Sequence, residues 1–262
     1  MKLFYQTYFQ SYSPADNGPV PVIIIPGLFG SSGNWRSFAK KLSEYRPVVV
    51  IDQRNHGQSE HSADNSYFDL ANDLKLLLAE LGLDKVTVCG HSMGGKTAMT
   101  FALQFPEILD KLVVLDIAPV EYAHSHAPIL EGLMSVDLKQ ALNRADVERQ
   151  LMQAIPDKST RMFIMLSLAK SVNGYFWRLN LKGLYDNLDL IGGFPVDGFQ
   201  FDSFCKPSLF IKGEDSDYVR AEEELGIHER FLNARIASIE GAGHWVHIDR
   251  PEAVLKEVLS FI

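Results

Sequence analysis

The stretch that decides the fold is residues 85–105, KVTVCGHSMGGKTAMTFALQF, which is followed by Pro106. The stretch begins with a short β-branched run and ends with apolar residues at helical spacing. Gly90, Ser92 and Gly94 lie between the two. This is a G-x-S-x-G pattern in a strand–turn–helix context, which projects the serine hydroxyl from a sharp turn. Glycines are required on both sides because a side chain would clash in so tight a turn. The stretch therefore predicts Ser92 as a nucleophile.

Apolar runs of similar length recur along the chain and alternate with segments of helical spacing. Each run is continuous and ends at a turn residue, which is typical of strands buried on both faces of a parallel sheet. The predicted strands are 20–25, 48–51, 85–89, 112–115, 208–212 and 234–239, and the predicted helices are 35–45, 67–83, 93–105 and 251–262. Alternation of this kind predicts an α/β fold with right-handed crossovers.

The alternation stops in the middle of the chain. Residues 120–205 have mostly helical apolar spacing, at 127–138, 138–155 and 160–172. The simplest interpretation is one sheet domain in two pieces, residues 1–119 and 206–262, interrupted by a helical cap over 120–205.

Composition excludes several classes of protein. The 262 residues are 46% hydrophobic and 22% charged with a net charge of −8, so nothing favours nucleic-acid binding. No apolar run approaches the roughly 20 residues that span a bilayer. Residues 1–6 turn polar too early for a signal peptide. Two cysteines, Cys89 and Cys205, have no metal-type spacing and suit a reducing compartment, so we expect a cytoplasmic protein.

A serine hydroxyl needs a neighbouring base, and His244 is the best candidate. It lies in residues 241–245, GAGHW, after the last predicted strand, so its loop is expected at the carboxyl edge of the sheet. His247 fits a surface or helix-capping position better. His124 and His126 could line a pocket, but no third ligand stands at metal-binding spacing. We therefore expect no metal and no cofactor.

Four motifs together resemble the α/β-hydrolase superfamily. They are PGLFG at 26–30, DQRNHGQS at 52–59, GHSMGG at 90–95 and GAGH at 241–244. Residues 26–32, 115–120 and 241–247 make the chain especially similar to the small bacterial YbfF-type esterases. The resemblance implies an α/β-hydrolase fold, with a mostly parallel sheet flanked by helices and a helical cap inserted between strands 6 and 7.

The acidic partner of the histidine departs from the usual pattern. The superfamily order is Ser, then Asp or Glu, then His, with the acid three residues beyond a glycine after the seventh strand. Here that slot holds Ser216, between Asp215 and Asp217. Some family members place the acid at the end of the sixth strand, which is Asp116 in this chain. The resemblance favours Asp116, with Asp215 as second choice and Asp217 as third.

Two main-chain amides are expected to bind the oxyanion. The first belongs to Met93, the residue after the nucleophile, and the second to Leu28, with Phe29 as a neighbouring possibility. Leu28 and Phe29 should also shape the acyl pocket. The densest aromatic run of the cap, YFWR at 175–178, suggests that Trp177 or Arg178 contacts the substrate from above.

These expectations favour a serine hydrolase that cleaves carboxylic esters of small to medium apolar acyl groups through an acyl-enzyme. Acyl-CoA thioesterase activity uses the same machinery, and a lyase of the menaquinone-pathway type shares the G-x-S-M-G-G turn. A non-catalytic hydrolase-like scaffold is the alternative from another class. The expected partner is a small-molecule ester or thioester, and the expected state is a monomer or weak homodimer.

Overall fold

The computed structural model describes residues 1–9, 18–123 and 126–262. Within them seven strands form one sheet, namely β1 (Tyr5–Tyr8), β2 (Val22–Ile25), β3 (Val48–Ile51), β4 (Val86–His91), β5 (Leu109–Leu115), β8 (Ser208–Gly213) and β9 (Ala234–Ile239). Their order in the sheet is β1-β3-β2-β4-β5-β8-β9. Strand β1 runs antiparallel to β3, and every other pairing in the sheet is parallel. The edge strand β1 is the one that the apolar pattern did not predict, because its residues are only partly buried.

Helices connect the strands, four of them at nearly the predicted positions. Those that flank the sheet are α1 (Arg36–Leu42), α2 (Tyr67–Glu80), α3 (Met93–Gln104), α9 (Ala221–Arg230), α10 (Val246–Asp249) and α11 (Pro251–Phe261). Helices α9 and α10 were not predicted. The sheet separates two apolar clusters, and neighbouring residues of one strand enter opposite ones. Ile23 and Ile25 pack in the first cluster, whereas Val22 and Ile24 pack in the second. Both faces of the sheet are covered, which accounts for the continuous apolar runs.

The segment between β5 and β8 combines helices with a β-hairpin. It contains α4 (Ala127–Ser135), α5 (Arg144–Leu151), α6 (Lys158–Ile164), β6 (Leu168–Ser171), β7 (Gly174–Trp177), α7 (Leu181–Asp186) and α8 (Leu188–Gly192). The helix expected over 160–172 is therefore wrong beyond Ile164, because β6 pairs antiparallel with β7. The segment follows the strand that ends at Leu115, which is the fifth strand of this sheet in chain order and the one that the superfamily numbering counts as the sixth.

None of the helices within the described ranges is long and apolar enough to cross a membrane.

The turn between β4 and α3 is held by direct backbone contact. A Cβ added to Gly90 would lie 2.2 Å from the Gly94 carbonyl oxygen, and one added to Gly94 would lie 2.3 Å from the Ile25 carbonyl oxygen. Ser92, between them, has φ 53° and ψ −122°, a conformation that costs a non-glycine residue free energy. The two glycines thus allow β4, α3 and β2 to approach closely enough to impose this strain.

We predict that Gly90→Ala lowers the free energy of unfolding by about 1–3 kcal/mol, because the added methyl group overpacks a rigid turn. Urea denaturation of the purified variant measures the change. Gly33→Ala is the matched control, since its nearest contact would be an ordinary 3.7 Å to Ser31 Oγ. Equal stability of the two variants would contradict the packing argument.

Candidate active site

The carboxyl ends of β4, β5 and the loop after β9 bring three predicted residues into contact. His244 Nε2 lies 3.0 Å from Ser92 Oγ, and His244 Nδ1 lies 2.8 Å from Asp116 Oδ2. Because a carboxylate only accepts hydrogen bonds, Nδ1 carries the proton and donates it to Asp116. Nε2 is then free of a proton and accepts the hydroxyl hydrogen of Ser92. This is the arrangement in which a histidine can remove a proton from a serine.

Asp116 is held in place by neighbours on two sides. Its φ is 51°, and its main-chain N–H donates to the Ile211 carbonyl at 2.8 Å. The Gly213 N–H donates to Oδ1 at 2.9 Å, and the Ser216 hydroxyl donates to Oδ2. The carboxylate is 1% exposed, so these bonds replace the water it has lost. Ser216, the residue in the usual position of the acid, thus contacts Asp116 from the loop after β8.

Asp215 and Asp217 do not enter this arrangement. Both are exposed on the loop after β8, and no hydrogen bond joins either carboxylate to His244. The preference for Asp116 over Asp215 therefore agrees with the geometry. The reason is sheet order: β5 and β8 are neighbours, with Leu115 paired to Ile211, so either strand end can reach the same histidine.

Aromatic rings enclose the catalytic candidate His244. The ring of Tyr218 stacks on it with centroids 3.8 Å apart, and burial raises the pKa of Tyr218 to about 12, with a further contribution from Asp116. On the other side His91 Nε2 donates to the His244 carbonyl oxygen at 2.9 Å. These contacts restrict both the ring and the main chain of His244. Neither contact was predicted from the sequence.

His247 is not at the surface, contrary to the expectation. Its ring stacks on Trp35 with centroids 3.9 Å apart and lies 4.7 Å from the ring of His91. Burial, with a smaller effect from His244, lowers the pKa of His247 to about 3. Burial also lowers the pKa of His91 well below its usual value. The two rings are therefore neutral packing groups behind His244.

A cavity of about 260 Å³ opens at Ser92 and is predominantly apolar. Leu28 and Phe29 line it as predicted, together with His126. The other lining residues are Gly27, His91, Ile129, Thr160, Phe163, Ile164, Tyr218, His244 and Trp245. His124 lies outside the described residues. The lining residues from α6 and Trp245 were not predicted, because only the tertiary packing of α6 over the sheet edge reveals them.

Trp177 and Arg178 are not brought to this cavity, so their expected contact with the substrate is not supported. Trp177 pairs with Leu168 in the hairpin. Arg178 is exposed, and its main chain bonds to Ser167 and Gly57. The aromatic run at 175–178 is instead explained by hairpin packing.

No group of three or more His, Cys, Asp or Glu side chains is placed to hold a metal ion in the part of the chain that the structure describes. Both cysteines are unbridged thiols, Cys89 buried and Cys205 exposed.

Comparisons with known proteins identify the family of the chain. The model of the alpha/beta hydrolase fold family matches residues 20–251. Esterase YbfF of Escherichia coli K12 is 33% identical over 243 residues, covering 92% of each chain. The mouse sn-1-specific diacylglycerol lipase ABHD11 is 37% identical over 249 residues, covering 92% of this chain and 80% of that protein. A solved marine microorganism esterase is 36% identical with a TM-score of 0.93, covering 100% of this chain and 99% of that one.

The chain therefore belongs to the α/β-hydrolase family, as its motifs predicted. Within that family it is a carboxylic ester hydrolase similar to the YbfF-type esterases.

We predict that Ser216→Ala lowers kcat about 10- to 100-fold with little change in KM, the effect of a lost hydrogen bond to a charged group. The Asp116 carboxylate would keep its position less well, and His244 with it. Steady-state kinetics on p-nitrophenyl butanoate measures the change. Ser260→Ala, at an exposed hydroxyl on α11, is the control. A kcat unchanged from wild type would show that Ser216 does not position Asp116.

Proposed function

We propose that the chain hydrolyses carboxylic esters of small to medium apolar acyl groups through an acyl-enzyme. The observation that carries the proposal is the hydrogen-bonded series Ser92–His244–Asp116 opening directly into an apolar cavity. Such a series supplies a nucleophile, a base and an orienting acid. The cavity supplies room for an apolar acyl chain.

In the first half-reaction Ser92 Oγ attacks the ester carbonyl while His244 Nε2 takes its proton. His244 then returns the proton to the leaving alcohol oxygen, and the acyl group stays on Ser92. In the second half-reaction water attacks the acyl carbonyl, and His244 again moves the proton. Asp116 stabilises the protonated imidazole without accepting its proton.

The tetrahedral oxyanion is assigned to the main-chain amides of Met93 and Leu28. Met93 is the first residue of α3, so its amide belongs to the positive end of the helix dipole. Leu28 lies beside Ser92 in the wall of the cavity. Two such donors act on charge that develops in the transition state, which is the largest electrostatic term in acyl transfer.

The segment 120–205 is proposed as a cap over this chemistry, with residues 1–119 and 206–262 as the catalytic core. Thr160, Phe163 and Ile164 on α6 reach the cavity, and the rings of Phe163 and Trp245 lie 5.6 Å apart. Substitutions on α6 should therefore alter acyl preference more than the rate of the chemical step.

The proposal predicts that Asp116→Asn lowers kcat on the order of 10⁴-fold, because the histidine loses its orienting acid. The exposed Asp215→Asn is the matched control and should retain nearly full activity. Hydrolysis of p-nitrophenyl esters from acetate to octanoate measures both the rate and the acyl preference. Near-full turnover in Asp116→Asn, with loss in Asp215→Asn, would reverse the assignment of the acid.

A further inference from the structure

A second, smaller cavity also opens at Ser92. Its volume is about 30 Å³, and it shares Leu28, Ser92, His126 and Tyr218 with the large one. Its remaining walls include Met93 from the nucleophile helix, Tyr122 and Lys96. An ester bound at Ser92 therefore has one half beside each cavity. The proposed function places the apolar acyl half in the large cavity, which leaves the alcohol half for the small one.

Lys96 is the unusual member of this wall. It is 2% exposed, and Nζ donates to the Gly192 carbonyl at 2.7 Å and to the Gly193 carbonyl at 2.6 Å. None of the ion pairs formed within the described residues includes Lys96. Among the residues that the structure describes, no Asp or Glu lines the small cavity. A buried ammonium without a carboxylate is costly, since charges are normally buried in pairs.

Anchoring the end of α8 does not require this charge. The Gly192 carbonyl also accepts from the Tyr122 N–H at 3.1 Å, and the Ile191 carbonyl accepts from the Tyr67 hydroxyl at 2.7 Å. A neutral hydrogen-bond donor would satisfy the remaining carbonyl, that of Gly193, equally well. Burial lowers the pKa of Lys96 to about 7, and exposed Glu121 offsets this only partly. An ammonium in this position would be stabilised by an anion entering the cavity.

We propose that the small cavity is a subsite for a carboxylate on the alcohol half of the substrate, bound by the third N–H of Lys96. This inference rests on the proposed function. The class of substrate is an apolar acyl ester of a short hydroxy acid. Hydrolysis adds water across the bond between the acyl carbon and the alcohol oxygen, and releases the apolar acid and the hydroxy acid.

The size of the small cavity limits which anions it can bind. A volume of about 30 Å³ holds roughly two water molecules. A carboxylate matches that volume, whereas a phosphate ester is larger and would require displacement of the walls. Lys96 Nζ also lies over the aromatic rings of Tyr122 and Tyr67, 4.8 and 5.9 Å from their centroids, and these cation–π contacts stabilise part of its charge before any anion binds.

Two isosteric esters test the subsite. Carboxymethyl butanoate and 2-methylpropyl butanoate share the acyl group and differ in a carboxylate against an isopropyl group. We expect wild-type kcat/KM to be at least 10-fold higher for the charged ester. Lys96→Met should lower kcat/KM for the charged ester about 10- to 100-fold more than for the neutral one, as a charged hydrogen bond would.

Lys111→Met is the matched control. Lys111 Nζ also donates to a main-chain carbonyl at a helix end, that of Phe261 at 2.6 Å, but from the opposite end of the sheet strands. The Lys111→Met variant should leave the ratio of kcat/KM for the two esters unchanged. An equal loss on both esters in Lys96→Met would show a structural anchor and overturn the subsite.

Comparing the two esters with the wild-type enzyme tests the subsite even if the Lys96→Met variant does not fold. A wild-type enzyme that cleaves the neutral ester at least as fast as the charged one overturns the subsite, while the proposed function stands. A folded wild-type enzyme that cleaves neither of them nor p-nitrophenyl butanoate overturns the proposed function itself, and the subsite with it.

Discussion

The close contact of two glycines with the backbone around Ser92 is the constraint on which the site depends. Gly94 packs against the Ile25 carbonyl and Gly90 against Gly94, so β4 must pass into α3 within a single strained residue. The strain places the hydroxyl at the sheet edge and the helix amino end beside it. Every other catalytic candidate is positioned relative to this turn, His244 by a hydrogen bond to Ser92 itself.

The position of the acid shows how the pairing of two neighbouring strands can preserve the catalytic geometry when the acid lies after one strand instead of the other. Strands β5 and β8 are paired up to their carboxyl ends, so a carboxylate on one and a hydroxyl on the other occupy adjacent positions. Here Asp116 supplies the carboxylate and Ser216, in the loop after β8, the hydroxyl, and Gly213 at the end of β8 adds an amide. The histidine therefore meets a fully hydrogen-bonded acid, although the usual slot holds a serine.

Local rules predicted six of the seven sheet strands, the nucleophile turn and His244, because strand length, turn glycines and helical spacing depend on neighbouring residues. The choice of Asp116 came from the resemblance to the YbfF-type esterases. The same rules failed where tertiary packing decides. Residues 168–171 have helical spacing but pair as a hairpin, and Trp177 and Arg178 follow that hairpin away from the cavity. His247 reads as polar but is buried by stacking on Trp35. In the sequence nothing distinguishes Lys96 from other helix residues. Only its burial in the folded protein sets it apart.

Covalent labelling of Ser92 tests the central claim most directly. Folded wild-type protein is treated with a fluorophosphonate, and the adduct is counted by intact mass and located by peptide mapping. The account predicts one adduct per chain, on Ser92, and none in Ser92→Ala. Replacement of His244 by Ala should slow labelling strongly, because the hydroxyl loses its base. Folded wild-type protein that stays unlabelled, or carries its label elsewhere, would contradict the account.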